Sequence, residues 1–132
     1  MSVTILSAMR HEVFGKTFAR FIETKARAKI VGFCSTPAEV EPLYNLLKPD
    51  ILLIDAKLGG IYSFDIMRAI ISNDKTARII GITAYFQEDT LQTLRQIGAK
   101  GYLLRNDDMK IMEKMIHEVM EGRTLFAESL YC

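Results

Sequence analysis

Five short apolar runs punctuate this 132-residue chain, and segments of helical periodicity separate them. The runs are Val3-Thr4-Ile5-Leu6-Ser7-Ala8, Lys29-Ile30-Val31-Gly32-Phe33-Cys34, Ile51-Leu52-Leu53-Ile54, Ile79-Ile80-Gly81-Ile82-Thr83 and Gly101-Tyr102-Leu103-Leu104. They are continuous rather than alternating, which suits strands buried on both faces. Strands that alternate with helices require right-handed crossovers. The expected architecture is therefore α/β, a five-stranded parallel sheet with helices on both faces.

Each intervening segment carries its own helical signal. Phe14, Phe18, Phe21 and Ile22 fall on one helical face, and so do Met112, Met115, Ile116 and Val119 after a cap-like Asp107-Asp108. Leu91 and Leu94 mark another helix, closed by Gly98. Ile66, Met67, Ala69 and Ile70 mark a fourth. Between the second and third runs, Pro37 suits a first turn. Pro42 would remove a backbone bond from any helix already running through it, so a short or late helix is expected there. The tail from Gly122 still carries Leu125, Phe126 and Leu130, so part of it is expected to pack.

Size and composition narrow the function classes. The length suits one domain, 1–132, with a single sizeable core. No apolar stretch is long enough to span a membrane. A strand pattern that begins at Val3 leaves no room for a signal peptide, and the expected location is the cytoplasm. A net charge of +1 gives no general case for nucleic-acid binding by this domain. Cys34 and Cys132 are read as free thiols, with no His/Cys spacing for a metal.

Two motifs are set aside on their spacing. Phe14-Gly15-Lys16-Thr17 resembles the end of a phosphate-binding loop, but the required earlier glycine is Arg10. His11 and His117 have no nucleophile pattern beside them; His11 follows the first strand, and His117 sits on the charged side of the last helix. No acid-base pair or cofactor loop is visible, so the chain is not read as an enzyme.

Asp55, Thr83 and Arg105 form a different kind of set. Each stands at the end of a predicted strand, so a parallel sheet places all three along one edge, where ligands bind in open sheets of this kind. A carboxylate there is costly to bury without a reason. An oxygen nucleophile, a hydroxyl and a cation are the parts that phosphoryl chemistry uses. The alternative is a structural Asp–Arg pair with Thr83 as an ordinary strand-end residue.

Taken in order, these residues resemble the receiver domain of bacterial two-component response regulators, over nearly the whole chain. Pro49-Asp50-Ile51-Leu52-Leu53-Ile54-Asp55 is similar to the family's approach to its phosphoacceptor aspartate, and Leu58, Gly60, Ile61 and Phe64 match positions that follow it. Ile82-Thr83-Ala84-Tyr85 resembles the switch hydroxyl and its small neighbour. Gly98-Ala99-Lys100-Gly101-Tyr102-Leu103-Leu104 resembles the fifth-strand motif, with Tyr102 at the switch aromatic. The Gly101–Leu104 form and the tail from Glu121 to Leu130 are similar to the LuxR-type subfamily. The resemblance implies a flavodoxin-like strand order 2-1-3-4-5. It also implies Asp55 as phosphoacceptor, with Thr83, Ala84, Tyr102 and Arg105 as switch and phosphate-contacting residues. As partners it implies a sensor histidine kinase, a homodimer, and a DNA-binding output, either as a C-terminal helix-turn-helix of a longer chain or as a separate protein.

The chain departs from the family at several positions. The acidic pair that binds Mg²⁺ in the family is replaced by Met9 and Arg10. The usual lysine is Arg105, the proline after it is Asn106, and Gly59 stands where a proline is usual. Met9 and Arg10 supply no oxygen ligand, and Mg²⁺ favours hard oxygen donors. Glu12 is one nearby carboxylate of unknown direction. No metal or cofactor is therefore expected, and Arg10 is expected to pair with Asp55 as a fixed substitute for the ion. Two functions stay open: an atypical phosphoacceptor with weak or no Mg²⁺-dependent phosphorylation, or a pseudo-receiver that acts as an interaction module in transcription control.

Overall fold

A computed structural model describes residues 3–9, 16, 20–24, 27–105 and 109–126. Its main sheet contains β1 (Val3–Ala8), β2 (Ala28–Cys34), β3 (Ile51–Asp55), β6 (Ile79–Thr83), β7 (Gly101–Leu104) and β8 (Leu125–Phe126). A separate hairpin holds β4 (Lys57–Leu58) and β5 (Ile61–Tyr62). The helices are α1 (helical residues 20–24), α2 (Pro37–Leu47), α3 (Phe64–Asn73), α4 (Glu88–Ile97) and α5 (Met109–Met120). The sheet order is β2-β1-β3-β6-β7-β8, with every neighbouring pair parallel. Its first five strands follow the expected order, and β8 adds a sixth at the edge.

The pleat divides the core in two. Leu52 and Ile54 of β3 point to the side covered by Val40, Met67, Ile70, Leu91 and Leu94 of α2, α3 and α4. Ile51 and Leu53 point the other way, toward Ile22 of α1 and Met112, Met115, Ile116 and Val119 of α5. Because β3 is buried at all five positions, it reads as a continuous apolar run that ends in a charge. Gly81 lets α4 approach β6 closely, since a Cβ there would lie 2.8 Å from Leu94 Cδ1.

Two local expectations need correction. First, α2 starts at Pro37 and continues through Pro42 instead of being short or late. The Glu39 carboxylate caps its start, accepting from the Thr36 hydroxyl at 2.6 Å and the Thr36 N–H at 3.3 Å. Pro42 costs the bond that would reach Ala38, close to the helix start, while Val40 and Tyr44 keep the helix anchored in the core. Second, Phe21 is 50% exposed while its neighbour Ile22 is fully buried. Adjacent helix residues point about 100° apart, so only one of the two can face the sheet. The tail packs as expected, as β8, where the Leu125 N–H donates to the Lys100 carbonyl at 2.8 Å. The Arg95 guanidinium lies over the Phe126 ring, 5.2 Å from its centre. Phe14, Phe18, His11, the Asp107-Asp108 cap, Leu130 and Cys132 lie outside the described residues.

Candidate functional site

Asp55 ends β3 on the face shared with Leu53, and its side chain is only 2% exposed. Arg105 follows β7 on the same face as Leu103, because side chains alternate along a strand. Its Nη2 donates to Asp55 Oδ1 at 2.8 Å, a charge-assisted bond between the ends of two strands that flank β6. The Arg105 backbone N–H also donates to the Thr83 carbonyl at 2.8 Å, which ties the end of β7 to that of β6.

Thr83 and Tyr102 lie toward the opposite face of the sheet. Tyr102 is completely buried in the core under α2, α3 and α4. The Thr83 and Tyr102 hydroxyls are 2.7 Å apart, and Thr83 Oγ1 donates to the Tyr85 carbonyl at 2.8 Å. The Gln87 N–H donates to the Tyr102 hydroxyl at 3.2 Å, and the Phe86 ring stacks on Tyr102 at 5.9 Å. A buried tyrosine hydroxyl needs such partners, and here they also fix the loop that leads from β6 into α4.

The β4–β5 hairpin forms the opposite wall. Gly59 and Gly60 have φ of 62° and 81°, the left-handed pair that a two-residue hairpin turn demands. Proline at Gly59 could not adopt that angle. The Ser63 hydroxyl anchors the hairpin base by donating to the Asp55 carbonyl at 2.7 Å, and the Ser63 N–H donates to the Ala56 carbonyl at 2.8 Å. The turn brings Lys57 opposite Tyr62, with its ammonium 5.2 Å from the ring centre. Tyr62 in turn stacks on Phe64 at 5.1 Å.

An open cleft of about 250 Å³ lies between these walls, lined by Asp55, Ala56, Lys57, Tyr62, Ile82, Thr83, Ala84, Tyr85, Gln87 and Arg105. Four residues singled out from the sequence, Asp55, Thr83, Ala84 and Arg105, thus line one cleft. Asp55 and Arg105 are directly bonded, whereas the Thr83 hydroxyl is engaged by Tyr102 and Tyr85. The residues that sequence reasoning passed over are Tyr62, Ser63 and Gln87. The Gly59-Gly60 pair between two short apolar stretches was the available signal for the hairpin.

The β1 side of the cleft differs. The register sets Ala8 beside Ile54, so Met9 stands level with Asp55. Met9 is buried in the core cluster facing α1 and α5, and its N–H donates to the Cys34 carbonyl at 3.1 Å. The buried Ser7 hydroxyl has no hydrogen-bond partner among the described residues. Mg²⁺ needs an oxygen shell of nearly octahedral geometry. A buried thioether and a carboxylate already bonded to a guanidinium do not provide one. No group of three or more His, Cys, Asp or Glu among the described residues could hold a metal. Arg10, with its expected pairing to Asp55, and Glu12 lie outside the described residues. Burial, with a smaller contribution from Glu39, pushes the Cys34 thiol up to about 11, so it is protonated at neutral pH. None of the described helices is long and apolar enough to cross a membrane.

Comparison with known proteins bears on the family and the fold. The profile of the response regulator receiver domain matches residues 5–117. The nitrate/nitrite response regulator NarP of Escherichia coli strain K12 is 25% identical over 118 residues, covering 89% of this chain and 55% of that protein. NarL of the same organism is 24% identical over 127 residues, 96% of this chain and 59% of that protein. The chain therefore spans little more than half the length of these curated relatives. Among solved structures, a LuxR-family two-component response regulator from Aurantimonas sp. SI85-9A1 superposes with a TM-score of 0.88 at 24% identity, covering 95% of this chain and 89% of that one. The signal receiver domain of NarL from Mycobacterium tuberculosis gives 0.84 at 22% identity, covering 92% and 98%. With the profile covering most of its length, the chain belongs to the response regulator receiver domain family.

Proposed function

We propose that this chain is a receiver module of a two-component pathway that signals without Mg²⁺-dependent phosphorylation, as an interaction module in transcription control. The observation that carries this reading is the Asp55 carboxylate, which is 2% exposed and bonded to Arg105 at 2.8 Å, level with a buried Met9. Phosphoryl transfer depends on a nucleophile oxygen aligned with phosphorus and on cations that neutralise the transferred oxygens. Here the guanidinium binds the ground-state carboxylate, which lowers its nucleophilicity. No metal ligand among the described residues at the end of β1 offsets that loss. Arg105 stands where the family's lysine is usual, and as a planar fork it is a poor stand-in for a lysine point charge. The module would act in the cytoplasm through a sensor histidine kinase or another protein upstream and a DNA-binding output, within a longer chain or separate from it.

One observation favours a second reading. Asp55, Thr83, Ala84 and Arg105 line a single open cleft, an arrangement suited to a phosphoacceptor that Thr83 and Arg105 would read out. Acetyl phosphate with and without Mg²⁺, followed by intact mass spectrometry, separates the two. No phosphoryl adduct is expected under either condition. An adduct that requires Mg²⁺ and disappears in Asp55→Asn would overturn the proposal in favour of the second reading.

A further inference from the structure

The cleft above Asp55 has features that charge balance at an aspartate does not require. Its rim carries two tyrosines from separate walls, and Tyr85 is 78% exposed. Ile61, beside Tyr62 on the hairpin, is 63% exposed, and Phe86 is also exposed next to Tyr85. The floor and sides are apolar at Ala56, Ile82 and Ala84. Among the lining residues, the cations Lys57 and Arg105 face the single carboxylate of Asp55, which leaves a surplus of one positive charge. The volume of about 250 Å³ lies just under the usual range for drug-sized ligands, ~300–1,000 Å³.

We propose that this cleft binds a small aromatic monocarboxylate non-covalently. The surplus charge matches a monoanion better than a phosphate dianion. Lys57 lies over the Tyr62 ring, which places its ammonium on the wall of the cleft as the surplus cation, while Arg105 is bonded to Asp55. The exposed Tyr85 and Tyr62 rings line the cleft, and aromatic pairs are favourable in either stacked or edge-to-face geometry. The cleft volume limits the ligand to one ring or a fused pair. The Tyr85 carbonyl already accepts from Thr83, so the backbone that carries Tyr85 is fixed before any ligand arrives. This inference rests on the reading of an unphosphorylated Asp55 neutralised by Arg105, and it adds the class of ligand that would address the site.

The test is an amide chemical-shift titration of the labelled chain with benzoate, 4-hydroxybenzoate and indole-3-acetate. Cyclohexanecarboxylate and inorganic phosphate are titrated in parallel. Saturable shifts are expected at Lys57, Ala84 and Tyr85 with the aromatic acids, at affinities roughly five- to tenfold above cyclohexanecarboxylate, the scale of one aromatic contact. Lys57→Gln and Tyr85→Ala replace exposed side chains and should each weaken benzoate about fivefold at unchanged fold, the size of an exposed charge or ring contact. The ligand proposal is overturned if no aromatic acid gives a saturable shift. It is equally overturned if phosphate competes as tightly as benzoate, or if both variants bind like the parent chain. A parallel sample with Mg²⁺ and acetyl phosphate tests the underlying reading separately. An Asp55 adduct there defeats the proposed function whatever the titration shows, and a silent titration without an adduct defeats only the ligand.

Discussion

Among the described residues, Asp55 has a polar side and an apolar side, and the two are built by different rules. Toward β6 and β7, polar groups form a connected network: Arg105 with Asp55, Thr83 with Tyr102 and Tyr85, Tyr102 with Gln87. Toward β1, Met9 is packed into the core, and the Ser7 hydroxyl has no partner among the described residues. Among the described residues, a hydrogen-bonded network on one side of Asp55 thus stands against packed core on the other. In the proposed reading, the Arg105–Asp55 bond at 2.8 Å is what balances the carboxylate.

The largest effect should come from cutting that balance. Arg105→Ala leaves a buried carboxylate short of its cation and should cost about 3 kcal/mol in urea unfolding, while Asp55→Leu with Arg105→Met should recover most of the loss. A loss below about 1 kcal/mol for Arg105→Ala, the scale of an exposed pair, would mean that the bond is incidental.

The apolar side is tested by making it polar. Met9→Asp places a second carboxylate level with Asp55 and should destabilise the chain by about 2–4 kcal/mol without divalent ions. Combined with Arg10→Asp, it should gain saturable amide shifts on Mg²⁺ addition that the parent chain lacks. Equal Mg²⁺ responses in both would erase the proposed difference between the two sides.

A smaller effect is expected from Tyr102→Phe. It removes one hydroxyl that meets Thr83 and Gln87, at a cost of about 1–2 kcal/mol, with amide shifts concentrated at residues 83–87. Shifts spread instead along β1 would show that the two sides are coupled.

The smallest effect gives a reference far from the cleft. The Tyr44 hydroxyl donates to Asp74 Oδ2 at 2.9 Å. Bonding first from the Thr76 side chain and then from Tyr44 holds the Asp74 carboxyl below its ordinary range. A depressed carboxylate stabilises above its unfolded pKa, and that contribution is lost as pH falls through the lower folded value. Tyr44→Phe should therefore cost about 1 kcal/mol near neutrality, and the gap to the parent chain should narrow below about pH 4. A gap that widens on acidification would reverse the assignment of the shift.

Much of the molecule was legible in the sequence. The strand–helix alternation, the buried faces of α4 and α5, the Gly98 cap and the shared edge of Asp55, Thr83 and Arg105 follow from periodicity and from where a parallel sheet ends. The substitution of Met9 and Arg10 for an acidic pair is also a fact of the sequence, since it depends only on which atoms are present. Tertiary structure decided the rest. Whether Phe21 or Ile22 faced the sheet depended on the rotation of α1. Whether Pro42 broke α2 depended on how firmly Thr36, Glu39, Val40 and Tyr44 anchored it. The partner of the Thr83 hydroxyl depended on Tyr102 turning into the core. That choice is made by packing on both faces of the sheet at once, so no local pattern around Thr83 or Tyr102 encodes it.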